Sequence, residues 1–128
     1  MKILLDTNIF IWSIINQPAI SPSAIQAFDD PKNKLFLSIA SPWEMAIKSQ
    51  SGKLILPESV ETLVPKQLSA SGIKILLVRL EYISLIETLP AIHRDPFDRI
   101  IIATALTKDF AVMSSDAVFD EYNVSRIW

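Results

Sequence analysis

The chain of 128 residues has no cysteine. Disulfides, thiolate nucleophiles and cysteine-ligated zinc or iron–sulfur centres are therefore excluded, and nothing points to an oxidising compartment. It has one histidine, so any polar site must rely mainly on oxygen donors. No apolar run approaches the roughly 20 residues of a membrane-spanning helix, and the N-terminus lacks a basic region followed by an apolar segment and a small-residue cleavage site. The expectation is a cytoplasmic protein with no membrane partner. Basic residues are not in excess either: 12 Lys and Arg against 14 Asp and Glu give a net charge of −2. A broad basic face for gripping nucleic acid is thereby excluded, and any such contact must be local. Repeats, linkers and low-complexity stretches are missing too. Residues 1–128 are thus expected to form one domain, large enough to remove roughly two-thirds of its unfolded surface from water.

Half the residues are apolar and the mean hydropathy is +0.34. Either an α/β core is well filled, or some apolar surface meets a partner. The run Met1-Lys2-Ile3-Leu4-Leu5 lacks polar alternation, which predicts a strand buried on both faces in the middle of a parallel sheet. Ile9, Trp12 and Ile15 continue at helical spacing, and Asn16-Gln17-Pro18 ends that helix. Ser21-Pro22 opens a second helix, closed by Asp29 to Asn33, and Lys34 to Ser38 reads as a strand. Ser41-Pro42-Trp43-Glu44 opens a third helix, running to about Ser51. Lys53 to Leu56 is a short apolar run, Glu58 to Ser71 reads as helix broken or restarted at Pro65, and Ile73 to Val78 as a strand. A helix over Leu80 to Leu89 and a loop with His93 follow. Arg99 to Lys108, almost wholly apolar, is a helix packed on a sheet. Ala111 to Ser114 and Val124 to Trp128 read as strands around a helix or turn at Ala117 to Tyr122. Strands alternating with helices predict an α/β fold, a three-layer α/β/α sandwich with a mainly parallel sheet of four to five strands.

Asp6, Glu44, Asp98 and Asp116 stand where a strand passes into a helix or in a helix's first turn. Each has a purely structural reading. Asp6 and Asp116 fit helix caps, Glu44 completes a capping box with Ser41, and Asp98 meets the positive end of a helix dipole. Together they read differently. A parallel sheet brings such positions to one edge, where ligands gather, and clustered carboxylates raise one another's pKa unless a cation is held among them. Oxygen ligands suit Mg²⁺ or Mn²⁺, ions that bridge to phosphate oxygens and activate water during phosphodiester hydrolysis.

The motifs Asp6-Thr7-Asn8, Ser41-Pro42-Trp43-Glu44-Met45-Ala46-Ile47, His93 to Ala105 (HRDPFDRIIIATA) and Ser114-Ser115-Asp116 resemble those of PIN-domain ribonucleases. The resemblance covers the whole chain, and within that family the motifs are similar to VapC-type toxins of bacterial toxin–antitoxin pairs. It implies a PIN-like fold and a metal-dependent endoribonuclease, with Asp6, Glu44, Asp98 and Asp116 as catalytic residues and ligands of Mg²⁺ or Mn²⁺. It implies Asn8 and Ser115 as polar supports. It also implies an RNA substrate such as tRNA or rRNA, a cognate antitoxin and a homodimer. Asp95 reads as a helix cap that could touch metal-bound water. Arg94, Arg99 and Lys48 are candidates for RNA or antitoxin contact, although Lys48 also fits an intrahelical pair with Glu44. His93 reads as a loop hydrogen bonder, and Trp12 and Trp43 as core, half-buried or partner-facing. Two other functions stay open: a PIN-like protein-binding module without catalysis, and a receiver-like phosphoryl-accepting switch that binds Mg²⁺.

Overall fold

A computed structural model describes residues 1–128. Five strands, β1 (Lys2–Leu5), β2 (Lys34–Ser38), β3 (Lys74–Leu76), β4 (Ala111–Met113) and β5 (Arg126–Ile127), form one sheet in the order β3-β2-β1-β4-β5. Every neighbouring pair is parallel. The apolar opening run thus occupies the centre of the sheet, as its lack of alternation predicts. The receiver-like alternative requires the order 2-1-3-4-5, which this sheet does not have.

Parallel pairing needs helical crossovers. Helices α1 (Thr7–Ile15) and α2 (Pro22–Asp29) join β1 to β2, α3 (Ala40–Gln50) and α4 (Val60–Ser71) join β2 to β3, and α5 (Leu80–Ile86) and α6 (Pro96–Lys108) join β3 to β4. Short 3-10 helices occupy Gln17–Ala19 and Ala117–Tyr122. Strand side chains alternate between two cores. Ile3, Leu5, Leu35 and Leu37 pack with Ile9, Phe10, Ala24, Met45 and Val64 on one face. Leu4 and Val112 pack with Ile101, Ile102, Ala105, Phe119 and Tyr122 on the other. Because α6 lies between the sheet and α5, where Tyr82 meets Ile100 and Ala103, its residues Ile100 to Ala105 are all buried.

Two local expectations are corrected. Pro65 does not break its segment, because α4 runs unbroken from a Ser59 cap to Gly72. Both Pro65 and Glu61, whose carbonyl loses its helical donor, are exposed, so that carbonyl faces solvent rather than the core. Gly72 closes the helix at φ +64, in the left-handed region. The Ser41–Glu44 capping box does not form either. The helix starts one residue early, at Ala40, with its first N–H bonded to Ser38 Oγ at 3.1 Å.

After building β2 and β3 on one side of β1, the chain returns to lay β4 on the other. The switch point between β1 and β4 therefore lies at the sheet's centre, and in such sheets ligands gather in the crevice beyond the carboxyl ends there.

Candidate functional site

Residues that follow β1 and β4 line this crevice from below. Asp6 is 5% exposed, and its carboxylate makes no capping bond to α1. Instead Asp6 Oδ2 accepts from Ser114 Oγ at 2.7 Å, and the same oxygen of Ser114 accepts from the Asp116 N–H at 3.0 Å. One buried hydroxyl therefore ties the two strand ends together. Beside it Thr7 and Ser41, both buried, share a hydrogen bond of 2.9 Å that pins α1 to α3.

The helices supply the rest. Glu44, in the second turn of α3, is 3% exposed. Its Oε2 accepts from Lys48 Nζ at 2.6 Å, one turn on, but its Oε1 is buried with no hydrogen-bond partner. Leaving such an oxygen without a donor costs about 1–3 kcal/mol, more when the group is charged. Asp98 lies in the first turn of α6, whose cap is Asp95, with Asp95 Oδ1 accepting from the Phe97 N–H at 2.9 Å. Asp116 caps its 3-10 helix, with Oδ1 accepting from the Val118 N–H at 3.0 Å. A capping role and a place in the crevice thus coexist in Asp116.

The electrostatics report the convergence. Asp98 is pushed up to about 8, first by burial and then by the charges of Asp6, Asp95, Glu44 and Asp116. Burial also raises Asp6, opposed by the Ser114 hydroxyl and the Thr7 N–H, with the charges of Glu44 and Asp116 raising it further. Lys48 is raised by its hydrogen bond with Glu44, more than partial burial lowers it. Four carboxylates from distant parts of the chain therefore share one field.

His93, which sequence reasoning leaves as an ordinary loop residue, stands inside the cluster. Its Nε2 is 3.2 Å from Asp116 Oδ2 and 2.9 Å from Asp98 Oδ2. Ligand atoms of His93, Asp98 and Asp116 all fall within 4.8 Å of one another, close enough to surround a metal ion. The loop that carries His93 is clamped from two sides. Tyr122 Oη accepts from the N–H groups of Ile92 (3.1 Å) and His93 (2.6 Å) and donates to the Pro90 carbonyl (2.8 Å). The Arg99 guanidinium donates to the carbonyls of Ile86, Leu89, Pro90 and His93.

Several expectations change accordingly. Arg99 donates to the carbonyls of that loop rather than standing free. Ser115 is exposed without a hydrogen bond, and its neighbour Ser114 makes the supporting contacts. Asn8 is also exposed and bonds to none of the acids. Lys48 pairs with Glu44 as the intrahelical spacing predicts, while Arg94 is exposed without a polar partner. Trp12 is half-buried against Trp128, whereas Trp43 is 64% exposed and meets the Phe97 ring edge-on at 5.1 Å. Trp43 and Phe97, each one residue before an acid of the crevice, line an apolar cleft of about 230 Å³ with Ala40, Val78, Ile83, Pro96 and Ile100. A larger cavity of about 330 Å³ opens at the amino ends of β4 and β5, away from the acids.

The family model of the PIN domain matches residues 3–124. No curated protein matches the chain by sequence. Among solved structures it is similar to VapBC2 from Rickettsia felis bound to a DNA fragment from their promoter, at TM-score 0.73 and 14% identity over 100% of both chains. It is similar to VapBC-1 from nontypeable Haemophilus influenzae, at TM-score 0.65 and 19% identity over 98% of this chain and 96% of that one. It is also similar to FitAcB from Neisseria gonorrhoeae, at TM-score 0.62 and 19% identity over 97% and 95%. At these identities the likeness is one of fold.

Proposed function

The chain belongs to the PIN domain family, and on that premise we propose that it is a metal-dependent endoribonuclease, the toxin of a toxin–antitoxin pair. The observation that carries the reading is the buried, partnerless Oε1 of Glu44 in a field of three further carboxylates. A site that raises Asp6 and Asp98 and leaves a buried carboxyl oxygen unmet is complementary to a cation. Its donors are oxygens, with one imidazole nearby, which fits Mg²⁺ or Mn²⁺ better than a thiophilic ion.

Asp6, Glu44, Asp98 and Asp116 would hold the ion. Bound there, a divalent ion supplies charge neutralisation at a phosphodiester and a water of lowered pKa. The chain's own groups prepare that chemistry. Ser114 orients Asp6 and the Asp116 backbone, Lys48 fixes one oxygen of Glu44, and Thr7 with Ser41 keeps α1 and α3 in register. Covalent catalysis by a thiolate is excluded, in keeping with direct hydrolysis. An RNA substrate, a cognate antitoxin, a homodimer and a cytoplasmic site of action follow from the resemblance of these motifs to VapC-type toxins. The exposed Trp43 and Ile83 on the apolar cleft support a protein partner beside the acids.

The test is cleavage of single-stranded and stem–loop RNA by the purified protein with Mg²⁺ or Mn²⁺, with chelated and Asp6→Asn controls. Asp6→Asn removes charge and little volume, so the variant should fold and lose at least 100-fold in rate, roughly the loss of one essential charged group. Wild-type cleavage in chelator, or an active Asp6→Asn protein, would refute the reading. A folded wild type that neither cleaves nor binds metal would favour a protein-binding module.

A further inference from the structure

The geometry points to His93 as a positioning residue: its ring, held through Nδ1 by the Asp95 backbone, turns Nε2 toward Asp116 beside Asp98 and sets two carboxylates for a divalent ion without ligating that ion. The inference rests on the metal-dependent reading above and assigns this histidine within it. Nδ1 fixes the ring's orientation. That atom accepts a hydrogen bond from the Asp95 backbone N–H at 3.2 Å, so it presents a lone pair and carries no proton. The ring's one proton is then on Nε2, which faces Asp116 Oδ2 at 3.2 Å and Asp98 Oδ2 at 2.9 Å. Direct ligation through Nε2 would move the proton to Nδ1 and set two N–H donors against each other across the Asp95 contact.

The ring has little freedom to adjust. Its backbone N–H is held by Tyr122 Oη, and the Phe119 ring packs edge-on at 6.1 Å. Asp116 is left with Oδ1 on the Val118 N–H and Oδ2 on His93, so both oxygens are oriented by donors from the chain. Donors that orient ligating groups typically contribute about 10–100-fold to metal affinity.

The experiment uses Mn²⁺ alone as probe, read by its electron paramagnetic resonance, with protein labelled at histidine nitrogen. Wild type should bind Mn²⁺ with no hyperfine coupling from a directly bound nitrogen, and nuclear magnetic resonance should place the imidazole proton on Nε2. His93→Ala should weaken Mn²⁺ binding about 10–100-fold. His93→Gln, whose amide nitrogen is as many bonds from Cα as Nε2, should restore most of it. Coupling to a bound nitrogen, a proton on Nδ1, a folded His93→Ala protein of unchanged affinity, or a glutamine no better than alanine would each overturn the inference. The two measurements on wild type decide the matter even if the alanine variant does not fold. A wild type that binds no Mn²⁺ would instead overturn the proposed function, and this inference with it.

Discussion

Replacing Asp98 by asparagine should stabilise the metal-free protein, and the gain should grow with pH. In the folded state Asp98 is raised from an ordinary value of 3.8 to about 8, by burial first and by four neighbouring acids after it. Between those two values the native protein keeps a proton that the unfolded chain has released. Wild-type stability is therefore intact below the unfolded value, falls as pH rises through the window, and levels off above about pH 8. At about 1.4 kcal/mol per pKa unit, the whole shift sets a ceiling of about 6 kcal/mol. The net effect is smaller, since Asp98 keeps 15% of its side-chain exposure and sits in the first turn of α6. Asparagine also gives up the attraction of a charge to the helix dipole, about 0.3–1 kcal/mol. A net gain of about 1–3 kcal/mol at alkaline pH, and little at about pH 5, is expected. For a chain of this length that raises Tm by about 3–10 °C.

Thermal melts in chelator across that range measure it directly, and melts in Mn²⁺ supply the converse. Saturating metal at a hundred times its dissociation constant should stabilise wild type by about 2.7 kcal/mol and leave Asp98→Asn almost unmoved, so the order of stabilities reverses. An asparagine variant no more stable than wild type at alkaline pH, or a gain indifferent to pH, would refute the claim that Asp98 stands among like charges.

Three further outcomes follow from the contacts that build the crevice. Ser114→Ala removes the donor to Asp6 and the acceptor of the Asp116 N–H, and should lower stability by about 1–3 kcal/mol, read as a lower denaturant midpoint at unchanged slope. Arg99→Lys should fail to replace arginine, losing about 2 kcal/mol, because an ammonium cannot span the carbonyls of Ile86, Leu89, Pro90 and His93 as a planar guanidinium does; equal melts for the two would sink this account. Tyr122→Phe leaves the Ile92 and His93 N–H groups without an acceptor, so amide exchange at those two positions should accelerate at least 10-fold while the β1 amides stay protected.

The parts of this molecule that could be read from sequence are those whose signal lies within one element. Unalternating apolar runs at Ile3 to Leu5 and Leu35 to Leu37 mark buried parallel strands, and the apolar body of α6 marks a helix enclosed on several sides. The four acids can be singled out from sequence because a parallel sheet gathers strand ends at one edge; Asp6 and Asp116 follow β1 and β4 closely, whereas Glu44 arrives on the second turn of α3 and Asp98 on the first turn of α6. What supports them was not legible, because it rests on contacts between remote residues. Ser114 reaches Asp6 across 108 positions, Thr7 reaches Ser41 across 34, and His93 reaches Asp116 across 23. Just past the end of β4 strand alternation ceases to dictate direction, and it is Ser114 whose hydroxyl meets Asp6 at the neighbouring strand's end, while Ser115 is exposed. The capping box failed for a related reason. Its grammar makes Ser41 the cap, whereas the helix begins at Ala40 with Ile39 as its cap residue and Ser38 Oγ accepting the Ala40 N–H, so Glu44 falls in the second turn as a buried acid with an oxygen left unmet.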